Sequence, residues 1–203
     1  MPCSINKTLI EKTIEFHGHW CPGLAIGIRT AELALRMLGK TEEADLVAVV
    51  ETDMCGVDAI QSITGCTFGK GNLIHRDYGK MAFSFFDRKQ GKGFRAVFNP
   101  ELQEEIGSEL RGLMKKTADG SISDQEKKRS EELRQTLQDM YMSAELEELF
   151  SVSELPTLVP RPARVLKSLT CAACGELTME SRTRRFDGKT FCKPCFAQVD
   201  QKI

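Results

Sequence analysis

The sequence is poor in histidine, in the larger aromatic residues and in net charge. Three histidines, one tryptophan and two tyrosines occur in 203 residues. The formal net charge is -1, so no strong overall field draws the chain to nucleic acid or to an anionic membrane. No run of about 18 apolar residues is present, which argues against a transmembrane helix. No basic segment followed by an apolar one opens the chain, so no secretory leader is expected and the expected location is the cytoplasm. Internal repeats and low-complexity tracts are also missing. What is left is ordinary globular composition, 41% hydrophobic and 28% charged. That suffices for one good core with something smaller beside it.

Cysteine is the exception to this scarcity. There are eight: Cys3, Cys21, Cys55, Cys66, Cys171, Cys174, Cys192 and Cys195. In a reducing compartment thiols are more often metal ligands or reactive groups than disulfides. Cys3 reads as a free terminal thiol. The others fall into two groups with a long gap between them, which suggests two separate chemistries.

The C-terminal group is the clearer. Cys171-Ala-Ala-Cys174 and Cys192-Lys-Pro-Cys195 are two Cys-x-x-Cys knuckles with 17 residues between them. This spacing predicts a tetrahedral four-thiolate zinc site, with a hairpin turning at Asp187-Gly188 between the knuckles. Two disulfides or two redox dithiols are the alternatives. A closed set of four protein ligands leaves no position for substrate, so the zinc is expected to be structural. Residues 161–195 carry eight bases and three acids. Such a ribbon can touch nucleic acid or an acidic protein surface; a solvated face is the plainer reading.

The N-terminal group lies in "EFHGHWCPGLAIG", residues 15–27, where His17, His19 and Cys21 stand two apart. Alternate residues of an extended segment point the same way. Pro22 fits the first turn of a helix over about 22–38, whose Gly23, Gly27 and alanines let another backbone approach. A buried strand over about 45–52 follows, then a helix over about 56–64 with Cys55 at its start and Asp58 in its first turn. Cys66 comes next, in a Gly-rich loop. That loop, "GCTFGKG", fails as a phosphate-binding motif because its glycines are too close and no Ser or Thr follows Lys70. If these segments meet, one pocket holds two imidazoles, three thiols and a carboxylate. His19, Cys21, Cys55 and Cys66 are then candidate ligands for a second metal such as zinc, nickel or iron, and His17 and Asp58 are candidate catalytic groups. Taken singly, each is also an ordinary core or surface residue.

The element order predicts an α+β fold: helix, strand, helix, then two or three strands to about Pro100. Residues 101–150 read as helical, with a capping box at Ser123–Glu126. Leu133, Leu137, Met140 and Tyr141 form a stripe expected to pack on the core or on a second subunit. "LPTLVPRPAR" reads as an extended linker. The expected domains are a core over 1–110, a helical connector and linker over 111–168, and a zinc ribbon over 169–203.

"HGHWCPG", "CGVDAIQSITGCTFGKGNL" and the terminal double knuckle together resemble the FmdE family, which is named for one subunit of formylmethanofuran dehydrogenase. The resemblance covers about residues 15–100 and the ribbon. It implies an α+β core with a mixed sheet, homodimers, and a metal site built from the cysteines and histidines of the two core motifs. It also implies subunits of a molybdenum or tungsten oxidoreductase as partners. In that parent enzyme the pterin cofactor and iron–sulfur clusters belong to other subunits, and this chain lacks the cysteine runs for such a cluster. Three functions compete: an accessory subunit holding a structural zinc and a second core metal, an independent enzyme acting through the core metal or Cys55, and a nucleic-acid-binding regulator that senses metal or redox state.

Overall fold

The computed structural model describes residues 2–39, 45–155 and 159–199. The chain forms two compact units, one reaching to Pro162 and the other starting at Ala163.

The first unit opens with helix α1 (Lys7–His17) and helix α2 (Pro22–Leu38). Strand β1 (Leu46–Val50) leads into helix α3 (Gly56–Thr64) and then strands β2 (Leu73–His75), β3 (Ala82–Asp87) and β4 (Lys92–Phe98). Helices α4 (Glu104–Ala118), α5 (Asp124–Ser143) and the single turn α6 (Leu146–Leu149) precede strand β5 (Phe150–Glu154). The five strands make one mixed sheet in the order β2-β1-β3-β4-β5. Only the β1–β2 pair is parallel. Among the described residues no helix is long and apolar enough to cross a membrane.

The period of the strands sorts the core. Leu46, Ala48, Val50, Phe83, Phe85, Phe94, Ala96 and Phe98 pack with α2 and α5. The alternate residues Val47, Val49 and Phe86 point to the other face, where Leu155 and Val159 lie on them. Thus the start of the expected linker lies against the sheet. Arg88 fastens that segment by donating Nε to the Pro160 carbonyl at 2.8 Å and Nη2 to the Arg161 carbonyl at 3.2 Å. Residues 156–158 of the same stretch lie outside the described residues.

The helical region after Pro100 packs as the stripe requires. Leu133, Leu137 and Tyr141 are buried and Met140 is half-buried. Ser123 and Glu126 form the capping box that starts α5. The carbonyls that α5 leaves free at its end accept from the buried Arg29 of α2: Nη1 reaches Tyr141 O at 3.1 Å and Met142 O at 2.8 Å. The departure from the sequence reading is β5, which returns the chain to the sheet. "FSVSE" is a short, weakly alternating segment with little apolar content, and only its pairing with β4 makes it a strand.

The second unit contains strands β6 (Ser168–Thr170) and β7 (Leu177–Met179), strands β8 (Thr183–Phe186) and β9 (Lys189–Cys192), and the single turn α7 (Lys193–Phe196). The β8–β9 hairpin turns at Asp187 (φ 47) and Gly188 (φ 71), the two left-handed positions that a tight two-residue turn needs. The amide of Ala172 donates to the Thr190 carbonyl at 2.8 Å and joins the two halves.

Candidate metal centre

Helix packing assembles the N-terminal site. α2 and α3 cross at their glycines: a methyl group on Gly27 would fall inside the backbone of Gly56, 2.7 Å from its carbonyl carbon. A methyl on Gly23 would sit 3.2 Å from the Cys55 Cβ. Small residues at this crossing therefore bring the two helix N-termini together, with Cys21 as the N-cap of α2 and Cys55 as the N-cap of α3. α1 lies antiparallel to α3. Thr13 Oγ1 meets Ser62 Oγ at 2.9 Å, and one turn further along, His17 Nδ1 meets Asp58 Oδ2 at 2.7 Å. Gly18 (φ 91) ends α1 there, so the chain reverses and carries His19 and Cys21 back beside His17.

The outcome is a group of three donors. Ligand atoms of His17, His19 and Cys21 all lie within 4.8 Å of one another. The two imidazole centroids are 4.5 Å apart, and Cys21 Sγ is 3.8 Å from His17 Nε2. Tetrahedral zinc, with bonds of about 2.3 Å to sulfur and about 2.0 Å to nitrogen, places such atoms about 3.5 Å apart. The donor set therefore fits an ion of that kind. With Nδ1–H donated to Asp58, Nε2 is the ring nitrogen of His17 left for a metal, the carboxylate–histidine arrangement that fixes a ligand's tautomer. Gln61, one turn beyond Asp58, donates Nε2 to Asp58 Oδ1 at 3.5 Å. Sequence reasoning passed over Gln61, although its i+3 spacing from Asp58 is a usable signal.

His17 is the last residue of α1 rather than part of an extended loop, so the three donors converge through a helix end and a turn. His19 is exposed, His17 half-buried and Cys21 buried. The Leu24 amide donates to Cys21 Sγ at 3.4 Å and favours thiolate. Burial outweighs it and pushes the Cys21 thiol up, and the neighbouring Cys55 adds to the rise. Cys55 thus adjoins Cys21 but is outside the three-donor group.

Cys66 does not join them. It is fully buried in the apolar core, and its thiol donates to the Leu46 carbonyl at 3.4 Å. Burial raises its pKa. The helix break at Gly65 turns the residue under β1, so a thiol expected as a ligand serves as a small core side chain.

In the second unit the sulfurs of Cys171, Cys174, Cys192 and Cys195 also lie within 4.8 Å of one another. Four sulfurs about 2.3 Å from one zinc stand about 3.8 Å apart, so this set fits as well. Backbone N–H groups of Cys174 and Cys192 point at Cys171 and pull its thiol down to about 6. The Cys192 amide lies 3.3 Å from that sulfur. Crowding by the Cys192 and Cys174 side chains pushes Cys195 up to about 12. Four sulfurs this close, with their thiols free, are an arrangement that a divalent cation relieves. Among the described residues of this unit, the only buried hydrophobic side chains are Cys171 and Cys192.

Residues 16–151 match the family described as FmdE, Molybdenum formylmethanofuran dehydrogenase operon. The chain belongs to the FmdE family. Residues 166–201 match the prokaryotic dksA/traR C4-type zinc finger, which agrees with the four-sulfur geometry and supports zinc there. A curated relative from Archaeoglobus fulgidus, a probable S-adenosyl-L-methionine-binding protein, is 34% identical over 193 residues. That match covers 90% of this chain and 52% of the relative, so this chain spans about half of that protein's length. The crystal structure of a tungsten formylmethanofuran dehydrogenase FmdE-like protein from Syntrophus aciditrophicus has the same fold. It superposes with a TM-score of 0.61 at 24% identity, covering 95% of this chain and 92% of that one.

Proposed function

We propose that this FmdE-family protein carries two metals with different tasks. In the ribbon, zinc on four thiolates is closed and structural. In the core, His17, His19 and Cys21 hold a second, borderline-soft divalent cation with at least one position open to a small ligand. The observation that carries this reading is the convergence of the three donor atoms, with His17 oriented by Asp58. Such an ion supplies Lewis acidity at the mouth of the α2–α3 crossing, while Asp58 holds His17 and Cys55 stands as a neighbouring thiol. The family's link with a molybdenum formylmethanofuran dehydrogenase operon supports a role beside a molybdenum or tungsten oxidoreductase; in this reading the protein acts there as a cytoplasmic homodimer.

Metal analysis of the full chain tests the core site. Two ions per chain are expected for the wild type and one for His19→Ala/Cys21→Ser, with the ribbon ion kept. Asp58→Asn should keep the fold and weaken the core ion by about 10- to 100-fold. One ion per wild-type chain after reconstitution with zinc, nickel and iron would remove the second metal from the reading.

The alternative is a nucleic-acid-binding regulator. The observation favouring it is the exposed cluster Arg184, Arg185 and Lys189 flanking Phe186 on the β8–β9 hairpin. If it holds, the full chain binds a DNA or RNA duplex with an affinity that falls steeply with salt. Arg184→Glu/Arg185→Glu should then abolish binding. Salt-independent or absent binding would dismiss it.

A further inference from the structure

The face of the sheet that carries Val47, Val49 and Phe86 also carries charged groups that the metal sites do not use. The alternation that buries Val47 and Val49 continues to Glu51, which is 6% exposed. Arg95 of β4 reaches it with a two-pronged ion pair, Nε to Oε1 at 2.7 Å and Nη2 to Oε2 at 2.8 Å. Arg95 directly and the more distant Lys80 and Arg76 hold the Glu51 carboxyl below its ordinary range. Over this pair lies a cavity of about 330 Å³, lined by Glu51, Arg76, Ser84, Phe86, Arg95 and Leu155 among others. That volume lies at the lower end of small-ligand pockets.

Three donors lining this cavity have no hydrogen-bond acceptor among the described residues. Arg76 makes no ion pair or side-chain hydrogen bond among the described residues. Arg95 spends Nε and Nη2 on Glu51, which leaves Nη1. The Ser84 hydroxyl, on a residue 6% exposed, has no partner among the described residues. Beside them, Phe86, two residues along β3 from Ser84, and Leu155 supply apolar lining. A guanidinium fork and a hydroxyl beside a ring suit a flat anion with an apolar body better than a bare ion.

We propose that this cavity is a binding site for a small organic carboxylate, with its head on Arg76 and Ser84 and its apolar body against Phe86 and Leu155. The site is separate from the core donors and stands or falls without them. Arg95 is placed as a positioning residue, because its pairing with Glu51 fixes the floor of the cavity.

The test is a titration of the ¹⁵N-labelled full chain followed by amide resonances, with benzoate, benzyl alcohol and inorganic phosphate as probes. Benzoate should shift the amides of Ser84, Phe86 and Leu155 saturably, with a dissociation constant of about 1 mM or lower for so small a fragment. Benzyl alcohol and phosphate should each bind about tenfold or more weakly, since each lacks half of the recognition. Arg76 is exposed, so Arg76→Gln should leave the melting temperature unchanged and weaken benzoate about tenfold or more. No saturable shift at those three amides, undiminished binding in Arg76→Gln, or phosphate matching benzoate would overturn the proposal.

Discussion

Cys192→Ser should strip the ribbon of its metal and unfold residues 163–199 while the first unit keeps its melting transition. The expectation rests on the emptiness of that unit's core. Its only buried hydrophobic side chains among the described residues are two of the ligands themselves. A segment of about 35 residues cannot bury enough apolar surface to offset its chain entropy. Binding free energies of about 10–16 kcal/mol for structural zinc are then the folding free energy of the unit. Limited proteolysis should cut the variant within 163–199 and leave a stable fragment ending near the Arg88-anchored segment. A chelator strong enough to compete at neutral pH should do the same to the wild type. Full metal content in the variant, or a protease-resistant ribbon, would show that something other than the four sulfurs holds this unit.

Gly27→Ala should destabilise the first unit by about 2–3 kcal/mol. In an ordinary helix interior the same change stabilises by up to about 1 kcal/mol. Here the new methyl would enter the backbone of Gly56, which cannot rotate aside as a side chain can. The helices must part, and parting them draws Cys21 on α2 away from Cys55 and from His17, which α1 holds against α3. Loss of the ion proposed for the core donors should therefore accompany the lower melting temperature. Gly112→Ala is the control, because that site in α4 has nothing within 4 Å of the added methyl. It should raise stability slightly. If both variants behave alike, close approach of α2 and α3 is not what sets the site.

These two regions also show what the sequence made legible. Two Cys-x-x-Cys knuckles are nearly sufficient by themselves, because the spacing within each knuckle is the coordination geometry. The α2–α3 crossing was signalled by Gly23 and Gly27, although only the fold says that Gly56 is the other half. His17, His19 and Cys21 were expected together from alternation along an extended chain. They do come together, but through a helix C-cap at Gly18, a turn that one-dimensional spacing does not encode. Cys66 was misread for the opposite reason. Its Gly-rich loop suggested a ligand brought to the other donors, whereas a buried thiol can satisfy itself on a backbone carbonyl. β5 and the Glu51–Arg95 pair depend on partners 44 or more residues away, and no local pattern announces them. The available hint was a charge in register with the alternation, Glu51 two beyond Val49 and Arg95 between Phe94 and Ala96 of β4.

Phe98 pairs with Phe150 and Phe94 with Glu154, so the sheet is finished by a strand made long after its neighbour. At the usual rates of synthesis the intervening residues take about 3–10 s to appear. Throughout that interval the outer edge of β4 has open amides and carbonyls, a template for any other strand. The α4–α5 hairpin is built of local contacts and can form while the chain waits. It then delivers Phe150 to the edge it must cover, so the helices after Pro100 also act as the folding arm that closes the sheet.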